Sequence, residues 1–220
     1  MAYILNIDTA LESASLCISN DEELISFYEN EKQRDHAAWL QPTIKKMTEE
    51  AGIRLKDLSA IAVSNGPGSY TGLRIGLSSA KGLAYALNIP LIAIGTLDMM
   101  ATFVSACTTD FICPMIDARR MEVYTAVYDK NSVKVLEPQA MVLNESSFLD
   151  LLSSHSITFF GSGSTKFREL TKSQNAVFDI IKSDARSLIK ISNKRFQIKD
   201  FDELAYTEPL YLKEFYTTSR

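Results

Sequence analysis

One short pattern occurs twice in this 220-residue chain, once in each half. The first copy reads IDTALESASLCI from Ile7, and the second reads IDARRMEVYTAV from Ile116. In both copies a strand-like run ends in Ile-Asp and is followed by a second strand, a third strand and a helical pattern. The repeat predicts an internal duplication, although two ordinary hairpins that share Ile-Asp would give the same letters.

The first half predicts a mixed sheet with helices packed on it. Residues 3–30 hold three strand-length runs, which indicate an antiparallel meander, and apolar spacings of three and four predict a helix over 35–51. The run LSAIAVS, a helix ending near Leu87 and the run IPLIAIG then give a strand-helix-strand crossover. The fold class is therefore α/β. The pattern weakens between 154 and 207.

Charge and hydropathy narrow the class of protein. The net charge of −4 argues against unaided binding of a polyanion, so a partner must hold any RNA on which the chain acts. The most apolar stretch, 82–107, is interrupted by Asn88, Pro90 and Asp98, so we expect no membrane span. The first twenty residues carry no Lys or Arg, which argues against a secretory signal.

The three cysteines of the chain form no CxxC pair. Their odd number fits a reducing compartment, and we expect a cytoplasmic protein. Cys17 and Cys113 stand in strand-like runs, where a free thiol behaves as a small buried hydrophobic group. Cys107 has no neighbouring base in the sequence that would activate it as a nucleophile.

A glycine-rich stretch, NGPGSYTGLRIGLSSAKGLAYAL at 65–87, follows the strand LSAIAVS. Its spacing is GxGxxxG, which differs from the dinucleotide fingerprint GxGxxG, and the chain contains no P-loop motif. Gly72, Gly76, Ala80 and Ala84 recur every four residues on one helix face. Glycine inside a helix is unfavourable, so this face is expected to meet another backbone closely. Two interpretations stay open: packing against the chain's own sheet, or against a helix of a second subunit.

The motif GPGSYTGLRIG, the repeated Ile-Asp hairpins and the strand PMIDARRMEVYTAVYD together resemble the TsaB (YeaZ) family. The resemblance is dense over residues 3–128, thin afterwards, and returns at EPLYLK, where the family tends to show Arg and this chain has Lys213. It implies two ribonuclease-H-like lobes of the actin and sugar-kinase (ASKHA) type. We place an N-terminal lobe at 1–107 and a smaller, degenerate C-terminal lobe at 108–220.

The resemblance also implies a function. Members are partner subunits in the synthesis of threonylcarbamoyladenosine beside the tRNA anticodon, and the catalytic subunit is the paralogue TsaD. The implied role is non-catalytic, with the metal and the threonylcarbamoyl-adenylate on TsaD and with tRNA bound only through the complex. The small ATPase TsaE is expected to bind the pair. The resemblance also implies a dimer, formed either with a second copy of this chain or, in the working complex, with TsaD, and both alternatives stay open.

The residue pattern indicates no catalytic or metal-binding site in this chain. Thr96 and Met100 stand where TsaD has a His-x-x-x-His pair, and both are poor ligands for the ions that such sites bind. The only histidines, His36 and His155, lack metal-like spacing. We predict neither catalytic nor metal-binding residues. We interpret five positions as remnants of a nucleotide site: Asp8, Thr9, Asp117, Gly161 and Gly163.

The resemblance places the partner interface on the first two helices. Trp39 is the expected anchor, since large aromatic residues dominate interface energetics, although a core position for it is equally open. The other residues predicted at this interface are Leu40, Ile44, Met47, Gly72, Leu73, Gly76, Leu77, Ala80 and Ala84. Two alternative functions stay open at this point: a glycoprotease-like peptidase and a small-molecule kinase of the actin fold.

Overall fold

The computed structural model describes residues 2–32, 35–102 and 108–213. The chain divides into two compact units, of which the first is Met1–Phe103 with Lys182–Pro209 and the second is Val104–Ile181 with Leu210–Arg220. The predicted lobe boundary at 107/108 lies at the edge of a segment, 103–107, outside the described residues. The predicted C-terminal lobe of 108–220 is wrong for Lys182–Pro209, which belongs to the first unit.

The first unit contains a five-stranded sheet in the order β3-β2-β1-β4-β5. β1 is antiparallel to β2 and parallel to β4, so a meander and a crossover share one sheet, as the sequence predicts. The elements in chain order are β1 (Tyr3–Asp8), β2 (Ala14–Asn20), β3 (Glu23–Asn30), α1 (His36–Glu50), β4 (Leu58–Ser64), α2 (Tyr70–Leu87), β5 (Leu91–Ile94) and α3 (Thr96–Thr102).

The second unit repeats this topology. Its elements are β6 (Phe111–Asp117), β7 (Glu122–Asp129), β8 (Lys134–Val142), α4 (Leu149–Leu152), β9 (Ile157–Phe160), α5 (Ser164–Leu170) and β10 (Ala176–Phe178). The strand order β10-β9-β6-β7-β8 matches the first sheet strand for strand, and β6 is again antiparallel to its successor and parallel to the crossover strand. Asp8 and Asp117 end the equivalent strands β1 and β6. The predicted duplication is confirmed.

Each unit has its own hydrophobic core. In the first unit, apolar faces of α1 and α2 cover the sheet, and Leu40, Ile44 and Leu77 are among the buried residues. In the second unit the core is aromatic, with the ring of Phe159 packed against Phe148 and Phe167 at centroid distances of 5.3 and 4.8 Å. Cys17 and Cys113 are buried free thiols on strands, as the sequence predicts, whereas Cys107 lies outside the described residues.

The segment Lys182–Pro209 completes the first unit, and it carries the last helix, α6 (Ile189–Gln197). The Ala185 N–H donates to Ser15 Oγ at 2.9 Å, and the Ser192 hydroxyl donates to Asn6 Oδ1 at 2.8 Å. Ser15 and Asn6 are buried polar residues of the first sheet, so the segment satisfies groups that would otherwise lack partners. Among the described helices, none is long and apolar enough to cross a membrane.

Candidate functional site

Asp8 ends β1 with its carboxyl group sealed inside the first unit. Its Oδ1 accepts hydrogen bonds from the Ser64 hydroxyl at 2.5 Å and from the Ala10 N–H at 3.0 Å. Its Oδ2 is buried and has no hydrogen-bond partner among the described residues. Burial, together with the nearby negative charge of Asp184, raises the pKa of Asp8 to about 6, although its two hydrogen bonds act in the opposite direction.

The turn that follows Asp8 is covered by the N-terminal end of α2. The Ser69 N–H donates to the Ala10 carbonyl at 2.8 Å, and the Thr9 hydroxyl donates to the Gly72 carbonyl at 2.7 Å. A Cβ atom at Gly68 would overlap the Ala10 carbonyl oxygen, so the two segments touch through their backbones. With Asp8 sealed and this turn covered, the end of β1 and the turn after it do not fit a phosphate group with its metal ion.

Asp117 occupies the equivalent strand end in the second unit but has the opposite environment. Its carboxylate is exposed and accepts from Lys166 Nζ at 2.7 Å and from the Arg119 N–H at 2.5 Å. Partial burial acts to raise the pKa of Asp117, but the Lys166 ammonium and the Arg119 N–H outweigh it and hold that pKa below its ordinary value. The duplicated aspartates have therefore diverged, one sealed and one ion-paired.

The two glycines predicted as nucleotide-site remnants lie beside Asp117 in the second unit. The Asp117 N–H donates to Ser162 Oγ at 3.1 Å, and Ser162 stands between Gly161 and Gly163. Gly161 has a φ of 91°, which favours glycine, and a Cβ at Gly163 would crowd Val123. Backbone conformation and local packing therefore explain why glycine occupies both positions. Their role in nucleotide binding stays a prediction.

The small-residue face of α2 packs against the chain's own turn and sheet. A Cβ atom at Gly72 would overlap the Thr9 carbonyl oxygen, and one at Gly76 would overlap the Thr9 hydroxyl and come within 3.6 Å of Val63. These contacts favour packing of the glycine face against the chain's own sheet over packing against a helix of a second subunit. The glycines permit close intramolecular packing, which offsets their low helix propensity.

Apart from Trp39, the helix residues predicted at the partner interface have little surface to offer a partner, so their direct contact with a partner stays a prediction. All are buried within the first unit. These residues are Leu40, Ile44, Met47, Gly72, Leu73, Gly76, Leu77, Ala80 and Ala84. Trp39 is partly buried and packs against the same core, so only part of its ring is available.

The outward face of α2 holds a feature that the sequence reasoning missed. Gly82 is exposed in the second half of the helix, and a Cβ atom there would meet no atom of the described ranges within 4 Å. Ser78, one turn earlier, is also exposed, and Tyr85 is 80% exposed. Glycine is unfavourable here by about 1 kcal/mol relative to alanine, and no contact in the described part of the chain accounts for it. The signal in the sequence was a third helical glycine that lies off the buried face.

Thr96 and Met100, the two positions predicted to align with metal ligands of TsaD, lie in the core. Thr96 is buried and its hydroxyl accepts from the Gly66 N–H at 3.1 Å, and Met100 is buried too. His36 is buried at the start of α1, and this burial lowers its pKa despite the nearby Asp35. The ring of His155 packs on Phe111 at 4.7 Å. Within the described ranges, no three His, Cys, Asp or Glu residues cluster in a way that holds a metal ion.

Two ribonuclease-H-like units whose sheets share one strand order define a protein of the actin and sugar-kinase fold class. The family model for TsaD, tRNA N6-adenosine threonylcarbamoyltransferase, matches residues 27–213. The TsaB protein of Escherichia coli, a tRNA threonylcarbamoyladenosine biosynthesis protein, is 31% identical, and the alignment covers 96% of this chain and 94% of that protein. The chain belongs to the TsaB (YeaZ) family, whose members are paralogues of TsaD.

Two further comparisons agree with this placement. TsaB of Bacillus subtilis is 35% identical over 125 residues, which cover 57% of this chain and about half, 54%, of that protein. The structure of YeaZ from Pseudomonas aeruginosa superposes with a TM-score of 0.81 at 25% identity and covers 96% of this chain and all of that one. The relatives support the tRNA-modification interpretation over the peptidase alternative.

Proposed function

We propose that this chain is the non-catalytic partner subunit of a complex that transfers a threonylcarbamoyl group to an adenosine beside the tRNA anticodon. Membership of the TsaB family supports the pathway, since its relatives carry that biosynthetic name. The structure supports the non-catalytic role through Asp8. The strand-end carboxyl group of the first unit is buried, and the adjoining turn is covered by α2.

In this proposal the catalytic paralogue, TsaD, carries the chemistry. The metal ion and the threonylcarbamoyl-adenylate bind there, and tRNA meets this chain only as part of the complex. The small ATPase TsaE binds the assembled pair. The complex works in the cytoplasm, which agrees with buried, unpaired thiols at Cys17 and Cys113.

The outward faces of α1 and α2 form the docking surface for TsaD in this proposal. The exposed position of Gly82 within α2 supports this surface, because no contact among the described residues explains a glycine there. A helix of TsaD lying across Gly82 and Ser78 would approach the α2 backbone closely, and Tyr85 beside them offers a large aromatic anchor. In the absence of TsaD, a second copy of this chain takes the same surface and forms a homodimer.

Gly82→Leu tests this docking surface. Since nothing lies within 4 Å of the new Cβ, the variant should fold as well as the wild type, but it should fail to co-purify with TsaD and fail to support tRNA modification. Lys190→Leu is the matched control, because it places the same side chain on an exposed position of α6. Normal binding of TsaD by the Gly82→Leu variant would refute this docking surface.

The non-catalytic role has a separate test. The purified chain should show neither threonylcarbamoyl transfer nor ATP hydrolysis, whereas adding it to TsaD and TsaE should give modified tRNA. Turnover by the pure chain, persisting through a second preparation that excludes contaminants, would refute the role. Failure of the wild-type chain to bind TsaD or to stimulate modification would refute the whole proposed function.

A further inference from the structure

The turn between β6 and β7 holds two successive arginines in an unusual backbone conformation. Arg119 has a φ of 68° and Arg120 a φ of 50°, both in the left-handed region that disfavours residues with a Cβ atom. Both residues are exposed. Glycine or asparagine would satisfy this backbone more easily, so folding alone does not explain the choice of arginine.

The duplicated topology provides an internal comparison for this turn. The equivalent connection in the first unit, residues 9–13, contains no basic residue, and its beginning packs beneath α2. The same strand connection therefore folds without arginine. The basic, exposed turn is a feature of the second unit only.

The acidic groups next to the turn already have cationic partners. Asp117 accepts from Lys166 Nζ at 2.7 Å, and Glu122 is paired with Lys213. Neither Arg119 nor Arg120 makes an ion pair with a carboxylate in the part of the chain that the structure describes. Two guanidinium groups thus face solvent beside carboxylates that are already neutralised.

We propose that the Arg119–Arg120 turn binds phosphate groups. A guanidinium presents planar paired donors that match phosphate oxygens, and here two of them stand on a net acidic chain. If the chain acts in the tRNA-modifying complex, as proposed above, two ligands bring phosphate to it: the tRNA backbone and the nucleoside triphosphate of the ATPase. Both share this chemistry, and the test separates them.

The test uses the complete complex with unmodified tRNA and, separately, a fluorescent ATP analogue. The variant Arg119→Ala/Arg120→Ala should weaken the binding of one of these ligands about tenfold and, for tRNA, lower the slope of log affinity against log salt by about two. The control Lys130→Ala/Lys172→Ala removes two exposed positive charges from the same unit and should leave both affinities unchanged. Loss of tRNA affinity identifies the RNA backbone as the ligand, and loss of ATP affinity identifies the nucleotide.

Arg119→Gly/Arg120→Gly keeps the test decisive if the alanine variant folds poorly. Glycine accepts the left-handed backbone, so the melting temperature of this variant should equal or exceed that of the wild type. Phosphate binding should still be lost. Unchanged affinity for both ligands in a variant that assembles with TsaD would overturn the proposal, as would an equal loss in the lysine control. Failure of the wild-type chain to assemble would instead refute the proposed function on which the RNA arm rests.

Discussion

The hydroxyl of Thr9 donates a hydrogen bond to the carbonyl oxygen of Gly72 at 2.7 Å, across 63 residues of chain. This bond fixes the turn after β1 on the N-terminal end of α2. The contact explains why α2 has glycine at positions 72 and 76, since a side chain at either would strike Thr9. It also separates these two glycines from Gly82, where an added Cβ would meet no atom of the described residues within 4 Å.

Two alanine substitutions on the same helix should have opposite effects on stability. Gly72→Ala places a methyl group on the Thr9 carbonyl oxygen and should lower the free energy of unfolding by about 1–3 kcal/mol. The methyl group of Gly82→Ala would lie more than 4 Å from other groups that the structure describes, and the variant should raise that free energy by about 1 kcal/mol, because alanine is the better helix former. Urea denaturation of both variants measures the difference. Equal effects would contradict the assignment of the two helix faces.

The stability of the chain should depend on pH through Asp8. Its pKa rises from the ordinary 3.8 to about 6 on folding, so the folded state binds more protons between these values. The contribution of this group to the free energy of unfolding is therefore fully present below pH 3.8. It falls as pH rises to about 6, by about 3 kcal/mol in order of magnitude.

Asp8→Asn isolates this effect, because asparagine keeps an acceptor for Ser64 and Ala10 but cannot ionise. Relative to the wild type, the variant should gain stability as pH rises from 4 to 7. Chemical denaturation at several pH values measures the difference between the two proteins. A difference that stays constant with pH would show that Asp8 does not titrate in this range.

The fragment 1–107, the lobe predicted from sequence, should not fold cooperatively by itself. It lacks the segment that supplies the Ala185 N–H to Ser15 and the Ser192 hydroxyl to Asn6. Leaving buried polar groups unsatisfied is destabilising, and the fragment also exposes the apolar surface that Ala185 and Ile189 cover. Circular dichroism melts of the fragment and the full chain give the comparison. A sharp transition in the fragment would show that the return segment is dispensable.

Cys17 and Cys113 should resist alkylation in the folded protein. Burial raises the pKa of both thiols, that of Cys113 to about 12, so almost no thiolate forms at neutral pH. Iodoacetamide labelling followed by peptide mass spectrometry should detect both sites only after denaturation. Rapid labelling of either residue in the native state would contradict its buried position.

The sequence determined the local elements and their repetition. Alternating and continuous apolar runs set the strands, the spacing of three and four set α1 and α2, and the repeated Ile-Asp strand ends placed Asp8 and Asp117 at matching positions. These features follow from neighbouring residues, because the periodicity of a helix or a strand is written in a short window of chain.

Only the tertiary structure decided which surface each element faces. Small residues every four positions in α2 fit a partner's helix as well as the chain's own turn, and the choice depended on Thr9, far away in sequence. The return of Lys182–Pro209 to the first unit likewise depends on hydrogen bonds to Ser15 and Asn6 that no local pattern announces. Tertiary contacts also decided that Asp8 is buried, that Asp117 is exposed and that the arginines beside Asp117 adopt a left-handed backbone. Burial and charge pairing depend on contacts between distant segments, which a local pattern does not contain.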